Sequence, residues 1–192
     1  MQDLSTGAHT VLHSFGAGTD GAVPNGLTAN PAGTIVYGTT SQGGAEGLGT
    51  VFSLVLSTGV ETVLHSFSGA DGSSPEGEVS FDASGNLYGT ALTGGAYTWG
   101  TVFEISSTGA FTLLYSFTGD SDGGEPAGGP VAAQTSTEAV IGTTMYGGVT
   151  PGYEGWGTLW ELSTSGHLKV LHTFCSSVAC FGRWEADGAP IR

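Results

Sequence analysis

The sequence predicts an all-β chain of β-propeller-type blades, each a four-stranded antiparallel meander. Three observations predict it. A set of short words returns at intervals of about 50 residues, each interval holds four short β-rich segments parted by Gly, Asn, Asp and Ser turns, and no window carries a sustained helical period. The plainest word is Val11-Leu12-His13-Ser14-Phe15, which returns as Val63-Leu64-His65-Ser66-Phe67, Leu113-Leu114-Tyr115-Ser116-Phe117 and Val170-Leu171-His172-Thr173-Phe174. An Asp-Gly and then a Pro follow each copy: Asp20-Gly21 with Pro24, Asp71-Gly72 with Pro75, Asp122-Gly123 with Pro126, and Asp187-Gly188 with Pro190. The fourth set is delayed by an insertion that carries Cys175 and Cys180.

Within a unit the strands are taken in chain order as A to D. Strand A is a short apolar segment that begins after the Pro. Strand B is the Gly-Thr segment, seen in Val36-Tyr37-Gly38-Thr39-Thr40, Leu87-Tyr88-Gly89-Thr90 and Ile141-Gly142-Thr143-Thr144. A Gly-Gly turn leads to strand C: Gly49-Thr50-Val51-Phe52, Gly100-Thr101-Val102-Phe103 or Gly157-Thr158-Leu159-Trp160. Strand D is the Leu-His-Ser-Phe word, and alternation puts Val63 and Phe67 on one face with Leu64 on the other. A sheet that is apolar on both faces needs a neighbour on each, which blades stacked around an axis provide; an open solenoid of meanders is the second architecture. The units run roughly 1–18 (strand D only), 19–68, 69–118, 119–175 and 176–192 (partial). Propellers close with about four to eight blades, so three complete units are expected to be part of a longer array or to be completed by a second copy, with a homodimer as the expected closed form.

Composition narrows the function. Three Lys and Arg stand against seventeen Asp and Glu, a net charge of −14, and the three cations, Lys169, Arg183 and Arg192, all fall near the end of the chain. Such a surface repels phosphate backbones and anionic headgroups, which argues against nucleic-acid and membrane-surface partners and leaves cations and neutral ligands. No apolar run approaches the roughly 18 residues of a membrane-spanning helix. Gly supplies 35 residues, yet 39% of the chain is hydrophobic, so a packed fold is expected rather than disorder or collagen. Cys175 and Cys180 read as a local disulfide of an oxidising compartment, with two free buried thiols as the alternative.

Several spaced words occur together between residues 71 and 117: Asp71-Gly72-x-x-Pro75, Gly85-Asn86-Leu87-Tyr88-Gly89-Thr90, Gly100-Thr101-Val102-Phe103-Glu104-Ile105, Thr108-Gly109 and Leu114-Tyr115-Ser116-Phe117. This set resembles the Gloeo-Verruco (GloVer) repeat of bacterial extracellular proteins, and the resemblance covers essentially the whole chain. It implies a secreted or surface protein with propeller-like repeats and brings no catalytic residues with it. Strands A and B also look like those of NHL-type propellers, where Gly-Asn-Leu-Tyr marks strand B. Residues 130–144 depart from the pattern by losing Gly-Asn and Tyr.

The loops carry the candidate chemistry. With strand A innermost, the D-to-A and B-to-C loops project from one face. The B-to-C loops place Glu46 in the first unit, Tyr97 and Trp99 in the second, and Tyr153, Glu154 and Trp156 in the third. Aromatic rings beside carboxylates suit a saccharide, whose apolar faces stack while its hydroxyls donate; the alternative is that the rings plug gaps between blades. Asp20, Asp71, Asp122 and Asp187 recur at one position, and a ring of them around the axis would suit Ca²⁺, whereas each alone would cap its own turn. His13, His65 and His172 are read as packing residues, since Tyr115 replaces them in one unit. Two other function classes stand beside the binding module. One is a hydrolase that uses carboxylates of the loop face, for example Glu154 near Glu46 or Asp122; the other is a structural surface repeat.

Overall fold

The computed structural model describes residues 9–16, 19–132, 138–148, 156–163 and 165–174. Twelve strands form three four-stranded sheets, with no helix among the described residues. The first sheet is β1 (Gly21–Ala29), β2 (Ile35–Gly43), β3 (Thr50–Val55) and β4 (Glu61–Ser66). The second is β5 (Ser80–Phe81), β6 (Leu87–Ala91), β7 (Thr101–Ile105) and β8 (Phe111–Ser116). The third is β9 (Val131–Ala132), β10 (Glu138–Thr143), β11 (Thr158–Ser163) and β12 (Leu168–Thr173). Every neighbouring pair is antiparallel and consecutive, so each sheet is the expected meander.

Two expectations about the strands need correction. In the first blade strand A starts before the Pro, because Gly21 and Ala22 pair with Gly43 and Gln42, and Pro24 is absorbed at a register shift before Leu27. A bulge is where a residue without an N–H can sit in a ladder. Strand D also breaks its alternation. Phe52 pairs with Val63 but Val51 pairs with His65, which leaves Leu64 as an extra residue, and the same shift recurs in the other blades. The bulge turns Val63 to the Phe52 face and His65 with Phe67 to the Val51 face, so Val63 and Phe67 do not share a face.

This turn builds the blade junctions. Phe15 packs on Phe52 at 4.8 Å, Phe67 on Phe103 at 5.4 Å and Phe117 on Trp160 at 5.5 Å between ring centroids, so the Phe that follows strand D lies on the aromatic residue of the next blade's strand C. Phe67, Phe117, Phe103 and Trp160 are fully buried. The residue before each strand C aromatic faces the other way: Val51 joins the cluster with Phe67 and Phe103, and Val102 joins the cluster with Phe117 and Trp160. The Gly of strand B lies beneath the aromatic ring. A Cβ on Gly38, Gly89 or Gly142 would sit 2.9, 2.3 or 2.4 Å from an atom of Phe52, Phe103 or Trp160.

Polar bonds repeat at the same junctions. The Thr39 hydroxyl donates to the Gly77 carbonyl and the Thr90 hydroxyl to the Gly128 carbonyl, each in the next unit. The first strands of successive blades also approach closely, with the Thr28 hydroxyl donating to the Val79 carbonyl and the Ala132 N–H donating to the Ser80 hydroxyl. Thr28, Glu78, Val79, Phe81, Pro130 and Val131 line a groove of about 490 Å³ there.

Candidate functional site

The loop face is knitted by backbone bonds. The loop entering the second blade donates from Ser74 N–H to the Leu48 carbonyl, and the loop entering the third donates from Glu125 N–H to the Trp99 carbonyl. Each B-to-C loop bonds back in turn, from Gly44 N–H to the Asp20 carbonyl, Gly95 N–H to Gly69 and Gly148 N–H to Asp120. The residue before the Pro takes a left-handed backbone in all three units: Val23 at φ 59°, Ser74 at 51° and Glu125 at 53°. Side chains rarely adopt this conformation, and at Ser74 and Glu125 the bonds to Leu48 and Trp99 hold it.

On this frame Tyr97 is 56% exposed, Trp99 39% and Trp156 61%, while Glu46 is exposed on the first loop. Tyr153 and Glu154 lie outside the described residues. Trp99 does part of what a plug would do, because its indole covers Gly119 and Gly124, where any Cβ would come within 2.5 and 2.8 Å of the ring. Tyr146, 48% exposed, joins this group although the sequence reading passed over it. Its signal was an aromatic residue ahead of Gly147-Gly148, where the other units carry Gln42 and Thr93. Gly124 N–H donates to the Tyr146 carbonyl beside the Glu125 to Trp99 bond, which sets Tyr146 and Trp99 on either side of one dipeptide.

The recurrent Asp residues do not converge among the described residues; Asp187 lies outside them. Each reaches back to strand D of the preceding blade. Asp71 bonds His65 at 2.9 Å and Asp122 accepts from the Tyr115 hydroxyl at 2.9 Å, while Asp20 bonds His13 at 3.0 Å. Asp71 also accepts from the Ser68 N–H and hydroxyl, and Asp122 from those of Thr118, which closes each turn. Burial raises the Asp71 carboxyl, but the Ser68 bonds and His65 outweigh it and leave the group below its ordinary value. An ionised Asp71 only accepts, so His65 Nε2 carries the proton in the bond, as the Tyr115 hydroxyl does one blade on. Burial and Asp122 push that tyrosine up to about 12.

His65 stacks on Phe111 at 3.6 Å and 9°, and burial pushes its imidazole below the ordinary 6.5 despite the pull of Asp71. The folded state thus holds His65 neutral while the unfolded chain takes up a proton. Stability from this residue is present above 6.5 and is lost as pH falls below that value toward the folded one. The Asp71 contribution has its own window, lost only below 3.8. Urea midpoints are expected to fall as the pH drops below 6.5, and His65→Tyr, which copies Tyr115, is expected to flatten that fall. Equal slopes for the two proteins would remove His65 as the cause.

One group of three potential metal-ligating side chains comes together among the described residues. His13, Asp20 and Glu61 bring their ligand atoms within 4.8 Å of one another. Burial raises the Glu61 carboxyl, Asp20 adds to the rise, and His13 opposes it.

Stacked four-stranded meanders with linked loops on one face define a propeller-type repeat protein. The sequence matches the Gloeobacter/Verrucomicrobia repeat over residues 2–151, and the chain belongs to that family, as the resemblance implied. Comparison with curated proteins finds no match. Among solved structures, propeller proteins share the fold. TolB from Acinetobacter baumannii has 17% identity and a TM-score of 0.51 over 77% of this chain and 32% of its own. A chain of the nidogen/laminin complex has 14% identity and a TM-score of 0.54, with coverage of 90% and 53%. A TolB structure from Agrobacterium tumefaciens has 12% identity and a TM-score of 0.51, with coverage of 79% and 50%. The chain therefore spans 32% to 53% of the length of these structures.

Proposed function

We propose that the chain is a binding module of the extracellular or periplasmic space, with a neutral saccharide as its ligand. The observation that carries this reading is the group of exposed rings, Tyr97, Trp99, Tyr146 and Trp156, on loops that bond to one another across consecutive blades. Rings held on a hydrogen-bonded frame stack on the apolar face of a sugar at little cost in ordering. The chain carries a net charge of −14 and has no Lys or Arg before Lys169, which selects against anionic ligands. Cys175 and Cys180 lie outside the described residues; their spacing in the sequence supports the oxidising location.

Tryptophan fluorescence, titrated with neutral oligosaccharides, tests the reading. Saturable change is expected, weakened about tenfold by Tyr146→Ala, which removes a ring outside the blade junctions; such a loss corresponds to about 1.4 kcal/mol. No response to any neutral saccharide, or equal affinity in the variant, would overturn the saccharide as ligand.

A further inference from the structure

The first unit departs from its own repeat at two positions that meet in space. The residue that opens strand D is Phe111 in the second blade and Leu168 in the third, both packed against apolar clusters, but it is Glu61 in the first. Phe111 stacks on the His of the preceding strand D, whereas Glu61 comes to the equivalent His13 and to Asp20. The second departure is Gly16. Ser68 and Thr118 occupy that position in the following units, and their hydroxyls donate to Asp71 and Asp122. Gly16 has no hydroxyl to give Asp20.

The result is two carboxylates facing one another with a missing partner. Asp20 Oδ1 and Glu61 Oε1 are buried and accept no hydrogen bond among the described residues. A buried acceptor left unmade is costly, more so when charged, and no Lys or Arg occurs before Lys169 to neutralise the pair. An apolar residue at position 61 would remove the conflict, as the next two blades show. A local rule broken without compensation among the described residues points to something bound.

We propose that His13, Asp20 and Glu61 form a binding site for a divalent transition-metal ion of the zinc class. An imidazole nitrogen with two carboxylate oxygens suits zinc, which accepts mixed N and O ligands at about 2.0–2.2 Å, whereas calcium prefers an all-oxygen shell. The ion replaces the hydrogen bond between His13 and Asp20 and gives both orphan oxygens a partner. Its ligands come from the segment before the first blade, the loop entering that blade and β4, so the ion fastens residues 9–16 to the blade. This site is independent of the saccharide reading.

The test is isothermal titration of the EDTA-treated, dialysed protein with ZnCl₂, paired with hydrogen exchange of residues 9–16. Wild type is expected to bind one zinc at this site and to gain protection in that segment. Glu61→Leu, which restores the residue of the third blade, is expected to fold, to weaken binding at this site about 100-fold or more, and to gain no protection. Glu61→Gln keeps the shape and is expected to show the same loss should the leucine variant misfold. Zinc bound equally by wild type and both variants, no zinc bound, or calcium bound more tightly than zinc would each overturn the proposal.

Discussion

Gly89→Ala is expected to destabilise the protein by about 2–3 kcal/mol, the cost of forcing an extra methyl into a packed core. The new Cβ would lie 2.3, 2.8 and 2.9 Å from three atoms of the Phe103 ring. That ring is fully buried and is held by Phe67 at 5.4 Å and Phe111 at 5.6 Å, so it has nowhere to go. The backbone cannot retreat either, because β6 is paired on both sides. Urea unfolding gives the comparison, with Gly128→Ala as control; a Cβ there meets only the Thr143 hydroxyl at 4.0 Å. The control is expected to be neutral or slightly stabilising, since it also narrows the unfolded ensemble. Adding Phe103→Leu to Gly89→Ala is expected to recover part of the loss. An unchanged midpoint for Gly89→Ala would mean that the ring does not rest on the strand.

Phe67→Ala is expected to cost more, about 3–5 kcal/mol, and to change the way the protein unfolds. Phe67 is fully buried and touches His65 in its own blade with Phe103 and Phe111 in the next. The cavity therefore opens in the junction, where the coupling between neighbouring repeats resides. The expected signature in hydrogen exchange is that amides of β1–β4 open at lower free energy than those of β5–β8, which retain Phe117 on Trp160. Simultaneous loss of protection in all three sheets would show one cooperative unit and contradict nearest-neighbour coupling.

The meander and its strand order were legible because each recurring word marks one physical contact. Gly-Thr in strand B gives a bed for a ring and a hydroxyl for the next blade; Val-Phe in strand C gives one side chain to each neighbour. The bulge in strand D was not legible. A residue added to one strand leaves no gap in the sequence, so Leu64 reads as an ordinary inward residue and the faces of Val63 and Phe67 come out merged. The Asp positions were legible, their partners less so, because the bond from Asp71 to His65 spans a loop and its meaning shows only when Tyr115 is seen bonding Asp122 in the same way. Glu61 is the hardest case. A carboxylate at the start of a strand reads as solvated, and it stands out only once Phe111 and Leu168 are known to fill the same niche. Loop aromatics fall between: Trp99 both seals a junction and presents a face, which composition alone does not separate.

The Thr39 and Thr90 bonds have a consequence for how such chains change length. Each hydroxyl reaches a backbone carbonyl of the following unit, and a carbonyl is present whatever side chain stands there. Thr143, exposed in the third blade, offers the same donor again. A gene duplication that inserts one more unit between two blades therefore finds donor and acceptor already matched at both new seams. As far as these bonds go, a whole unit added to this chain would meet its neighbours through the contacts already in use.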